Sequence, residues 1–202
     1  MINTVVSLPL MMIMFFAKPI LSVLGQQEEV IEHANAFILS SLASVYLLGM
    51  YDLEKRFLNC LRTTWVPMIA CVGANLLHIL WCHIFVTVLG WDLYGLGFAS
   101  TLTAFILHSS IIVYSHCLKD IREALFWPDA TVWTGWREYF SLGVPTTAML
   151  CAEYWAWQFL AIVSGNLGVE AQAIMMITMQ VAALSETISL GIQEAACVLV
   201  GN

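Results

Sequence analysis

An all-α, polytopic membrane protein is what this sequence predicts, and three observations carry that reading. Hydrophobic residues make up 60% of the 202 residues, charged residues only 10%, and the mean hydropathy is +0.84. A soluble domain carries about 45–50% apolar and about 25% charged residues. The apolar residues gather into long runs, and the charges gather between them. The runs are continuous rather than alternating at period two, which favours helices over barrel strands. In oil no water bonds the backbone, so each crossing must satisfy its amides internally, as a helix does. The same composition excludes disorder, and 7 basic against 14 acidic residues, with no basic run, exclude a nucleic-acid partner.

About 20 apolar residues cross the hydrocarbon. Six segments reach that length, so six transmembrane helices are predicted: 4–24, 34–52, 64–89, 94–116, 140–164 and 171–200. The first has no basic n-region and no A-x-A site before it, so it reads as a membrane helix rather than a signal peptide. An acidic connection, Gln26 to Glu32, leads to the second. Asp52 to Arg62, with Lys55, Arg56 and Arg62, leads to the third. Gly90 to Leu93, holding only Asp92, leads to the fourth. The longest connection, 117–139, carries Lys119, Arg122 and Arg137 and is the natural linker. Its Lys119 to Trp127 stretch suits a short surface helix stopped by Pro128. The chain thus divides into 1–116 with four helices, the linker 117–139, and 140–202 with two.

Six of the seven basic residues lie in two alternating connections, which the positive-inside rule places in the cytoplasm. The first helix then runs outward. Lys18 is the exception, near the outer end of that helix, where its stem can reach the interface. Trp65, Trp81, Trp91, Trp127, Trp133 and Trp136 lie near segment ends or in loops, as in an aromatic interfacial belt. Six cysteines, none in C-x-x-C, read as soft packing residues.

A carboxylate at the bilayer centre costs several kcal/mol (about 2.5–3.5 on insertion scales), which makes any such residue a functional candidate. Glu153 is the foremost. It sits mid-way along 140–164 and shares a helical face with Thr146, Met149, Trp157 and Leu160. Apolar surroundings favour the protonated form, so Glu153 is suited to hold a proton and to release it when water or a cation arrives. The faces of Tyr154, Trp155 and Trp157 suit an organic cation. The alternative is a neutral Glu that only bonds a neighbouring helix. On the last helix, Glu186 with Gln193, and Gln180 with Thr187 and Glu194, form adjacent polar stripes. They read equally as a wet cavity wall or as helix-to-helix hydrogen bonding.

Cys71, Asn75, His78 and Cys82 share one face at steps of four, three and four. At 1.5 Å per residue they spread over about 16 Å, too far for one metal ion, so interhelical hydrogen bonding is expected, and likewise for His108. Pro9, Pro19, Pro67 and Pro145 permit kinks, and Pro145 places a potential hinge two turns before Glu153. No hydrolase, P-loop or zinc-protease motif occurs, so neither an enzyme nor a cofactor is expected.

The stretch Leu142 to Leu167, LGVPTTAMLCAEYWAWQFLAIVSGNL, resembles the seventh helix of eukaryotic members of the MATE (multidrug and toxic compound extrusion) family. Lys18 to Val30, Val66 to Val86 and Gly191 to Asn202 resemble the end of the third, the fifth and the end of the eighth. The resemblance implies a two-lobe bundle of which this chain supplies helices three to eight, with 117–139 as inter-lobe linker. It implies proton-coupled, or in some members sodium-coupled, antiport by alternating access. The cargo would be organic cations or related metabolites, moved through a cavity between the lobes. Glu153 would bind proton and cation, and Tyr154, Trp157, Gln158, Gln180, Glu186, Gln193 and Asn75 would line the cavity. The expected setting is a lipid bilayer, at the plasma membrane or an organelle. Gln158 stands where the motif has a second acid, and Ser189 where the eighth helix often has proline. The first two helices and the last four have no counterpart, so a truncated, non-transporting subunit or a gene-model fragment is the alternative, with the missing helices as partner. A lipid-linked precursor flippase is disfavoured, because an anionic cargo calls for basic rather than acidic intramembrane groups.

Overall fold

A computed structural model describes residues 2–23, 28–118 and 135–201. Every regular element among them is helical: α1 Ile2–Phe15, α2 Ala17–Val23, α3 Glu28–Cys60, α4 Trp65–Cys82 with a π-helical end His83–Val88, α5 Asp92–Cys117, α6 Trp136–Leu167 and α7 Val169–Gly201. The chain forms two compact units, Met1–Phe126 and Trp127–Asn202. Most of the predicted linker, with Lys119, Arg122, Trp127, Trp133 and the surface helix, lies outside the described residues. So do Gln26 and Asn202.

In the first unit the contacts fix the register. Asn3 meets Met50 and Thr4 meets Tyr46, so α1 runs against α3. Thr101 Oγ1 donates to the Ser40 carbonyl at 3.0 Å, and further along His108 meets Glu54, so α3 and α5 run parallel. His78 meets Thr103 while Phe85 abuts Gly95, so α4 runs against α5. Direction therefore alternates from crossing to crossing.

Small residues allow the central seam. On α3, Ala36, Ser40 and Ser44 recur every fourth position and are buried. On α5, Gly97, Ala104, Ile111 and Ser115 are buried along one stripe that also carries Thr101 and His108. A Cβ at Gly97 would overlap the Ser40 hydroxyl and lie 3.0 Å from the Phe37 carbonyl, so only glycine permits this approach. Lipid tails are as apolar as leucine, so close packing of small residues, not expulsion of apolar surface, joins such helices. The seam ends on Leu58 and Ile111, 0% and 1% exposed, packed against Tyr51, Val66, Ala70 and Tyr114.

Four features differ from the sequence expectation. The segment 4–24 is a bent pair, turning by 58° between α1 and α2. Pro19 has no N–H to offer the Phe15 carbonyl, and α1 stops at Phe15. The basic connection after the second segment shrinks to the few residues beyond Cys60, because α3 runs on to that residue. Its charges other than Arg62 sit on helix, where Arg56 Nε pairs with Asp52 Oδ2 at 2.8 Å. α4 ends in a π-helical turn. And α6 continues as one helix through Pro145.

Helices long and apolar enough to cross a membrane number four among the described residues, within α3, α4, α5 and α7, or five if the α1–α2 pair is one span. α6 is 32 residues long but does not meet the same apolarity test. Its Thr146, Thr147, Glu153, Gln158 and clustered Tyr and Trp dilute the aliphatic content. Those are the residues that make it a candidate site.

Candidate functional site

Unit two is a helical hairpin. Gly168, at φ 125°, turns α6 into α7, a conformation open to glycine and strained for other residues. A Cβ at Gly165 would stand 3.4 Å from the Gln172 side chain, so the two helices meet at the turn. Ala161 and Ser164, buried in the last two turns of α6, complete that contact.

Away from the turn, the polar groups of this hairpin face outward from it. Hydroxyls fold back: Thr146 donates to the Leu142 carbonyl at 2.9 Å, Thr178 to Ile174 at 2.9 Å and Thr187 to Ala183 at 2.8 Å. The carboxylate and carboxamide side chains do not. Glu153, Gln158, Gln180, Glu186 and Gln193 are exposed within the unit and have no hydrogen-bond partner among the described residues. Glu153 and Trp157 lie one turn apart on one stripe of α6, with Tyr154 and Gln158 on the next, about 100° around. The rings of Tyr154, Trp155 and Trp157 are 60%, 70% and 44% exposed. The arrangement is a carboxyl flanked by aromatic faces, with no basic side chain along α6 from Ser141 to Leu167. It can exchange a proton and attract a cation.

The remaining candidate, Asn75, belongs to unit one. Its Nδ2 donates to the Cys71 carbonyl of its own helix at 2.8 Å, and it is exposed. His78 does cross between helices. Thr103 Oγ1 donates to the Ala99 carbonyl at 2.8 Å, which leaves its oxygen to accept from His78 Nδ1 at 2.9 Å. His78 Nε2 then accepts from the Cys82 thiol at 3.3 Å. The row is a hydrogen-bond relay between α4 and α5.

His108 makes the interhelical bond expected of it, but with a partner that escaped the sequence reading. His108 Nδ1 lies 3.0 Å from Glu54 Oε2, with side chains 16% and 22% exposed. Glu54 had been assigned to a connection. The available signal was Tyr51, Glu54 and Leu58 at steps of three and four, a helical face continuing through the charges.

A family profile described as MatE matches residues 1–84. Protein DETOXIFICATION 36 of Arabidopsis thaliana is 24% identical over 200 residues, covering 98% of this chain and 40% of that protein. Protein DETOXIFICATION 35 of the same plant is 28% identical over 200 residues, covering 96% and 40%. Multidrug and toxin extrusion protein 1 of Oryctolagus cuniculus is 26% identical over 155 residues, covering 76% and 27%. The crystal structure of the eukaryotic MATE transporter AtDTX14 superposes with a TM-score of 0.75 at 21% identity, over 87% of this chain and 40% of that one. The resemblance to the MATE family therefore holds, the fold is that of a MATE transporter over the part covered, and the chain is an integral membrane protein. It spans about 40% of the length of the Arabidopsis relatives.

Proposed function

We propose that this chain forms part of a multidrug or organic-cation exporter, working as a proton-coupled antiporter by alternating access. One observation carries the reading: Glu153, a carboxyl without a partner among the described residues, midway along α6 among Tyr154, Trp155 and Trp157, in a chain similar to detoxification proteins along nearly its whole length. In the protonated form Glu153 is neutral and tolerates an apolar setting. Arrival of a cation favours the carboxylate, so cargo and proton compete for one group, and that competition couples their flows. Trp157, one turn away, supplies a ring face for the cation. Gln158, Gln180, Glu186 and Gln193 offer further polar contacts, and the coupling ion needs no cofactor.

The test uses the product of the full open reading frame in proteoliposomes. A pH gradient drives efflux of an organic cation, and Glu153→Gln lowers the initial rate by at least about tenfold, equivalent to losing about 1.4 kcal/mol of coupling. Binding of the cation to Glu153→Gln should lose its dependence on pH. An unchanged rate in the variant would overturn the assignment.

A further inference from the structure

A concave site lies in the first unit, where the start of α3 meets the turn between α4 and α5. It is an open cleft of about 550 Å³ lined by His33, Trp91, Asp92, Tyr94 and Phe98. That volume lies within the range of small-molecule sites, about 300–1,000 Å³. The chemistry is one-sided. Three aromatic rings, each about half exposed, border a carboxylate, and no lysine or arginine lines the cleft. Neither Asp92 nor His33 has a hydrogen-bond or ion-pair partner among the described residues.

The turn is built to hold these groups in place. The π-helical end of α4 closes with Leu89 N–H donating to Ile84 at 2.9 Å and Trp91 N–H to Phe85 at 3.0 Å. Gly95 lets α5 press on the Phe85 backbone, since a Cβ there would stand 2.9 Å from it. Trp91 stacks on Phe85, with centroids 5.6 Å apart and planes 5° apart, and meets the edge of Phe98 at 5.8 Å. One face of the indole is thus fixed by Phe85. Asp92 follows in the left-handed region at φ 44°, next but one to Gly90 at 66°. Such a conformation in an aspartate is sparsely populated and gathers at ligand sites. By the charge rule this turn faces away from the cytoplasm.

We infer that this cleft binds an aromatic organic cation, held by the ring faces of Trp91, Tyr94 and Phe98 and by the Asp92 carboxylate, as a vestibule separate from Glu153. Ring quadrupoles and a lone carboxylate attract the same charge, while a neutral molecule of equal shape gains only the apolar contact. The inference rests on its own residues and does not require Glu153 to couple transport.

The experiment measures binding of radiolabelled trimethylphenylammonium to the full-length protein in lipid nanodiscs, in a Glu153→Gln background so that the cleft alone reports. Binding persists in that background. Asp92→Asn weakens it about fivefold, the loss of one partly solvated charge contact. Asparagine accepts the left-handed backbone, so the turn stays folded. Tyr94→Leu, at a ring that touches no other described ring, weakens it about threefold. Excess tert-butylbenzene, the uncharged isostere, does not displace the probe. Unchanged affinity in both variants, no residual binding in the Glu153→Gln background, or equal displacement by the isostere would each overturn the site. Proton-driven efflux that survived Glu153→Gln would overturn the coupling role of Glu153 instead and leave this binding as it is.

Discussion

Gly97 shows how much one missing methyl can decide. The Ser40 hydroxyl occupies the space a Cβ would need, and the Phe37 carbonyl closes the other side. Gly97→Ala should therefore force α3 and α5 apart or twist Ser40, at about 1–3 kcal/mol of overpacking. In detergent the variant should unfold at lower temperature than the parent. Ser40→Gly in the same chain should recover part of the loss, since the carbonyl contact remains. An unshifted transition in Gly97→Ala would mean that the seam is looser than drawn. Glu153 and Trp157 show the opposite case, because helical spacing alone puts them on one stripe. The sequence therefore revealed that pair, whereas Glu54 and His108, 54 residues apart, needed the helices to be brought together. Asn75 marks the same limit from the other side. A carboxamide in an apolar run was expected to reach a neighbouring helix, yet its own Cys71 carbonyl, one turn back, is nearer.

Helix existence was readable because oil leaves the backbone no other arrangement, and each predicted run does contain a helix. Ends were less so. Hydropathy stops a helix where charge begins, but an Asp52–Arg56 pair one turn apart keeps α3 going to Cys60. A proline in an apolar run can be absorbed or can break the helix, and composition does not distinguish the two. Pro145 is absorbed within α6, whereas the chain bends by 58° just before Pro19. If the missing N–H of Pro19 causes that bend, Pro19→Ala should straighten the pair. Spin labels placed at Val5 and Ser22 should then separate by about 3 Å more, from helical rise and the observed angle. An unaltered distance would shift the cause to packing of α2 on α3.

Six crossings are expected from length, yet α6, 32 residues long, shows that length and apolarity can part company. Its polar residues lower the hydropathy that would mark it as a span, so a helix rich in candidate site residues is the hardest to count. The two units raise a further point that only orientation can address. α3 and α5 run parallel, so Cys60 and Cys117, both exposed at their C-terminal ends, must lie on one side of the membrane. The basic residues beside them say which side: Lys55, Arg56 and Arg62 adjoin the first, and Lys119 and Arg122 the second. With the other four cysteines replaced by alanine, a membrane-impermeant maleimide added outside right-side-out vesicles should label neither thiol. Permeabilisation should expose both. Labelling of both from outside would invert the topology and move the Trp91 cleft to the cytoplasmic face. Labelling of one alone would contradict the parallel pairing of α3 and α5, and with it the seam on which the first unit is assembled.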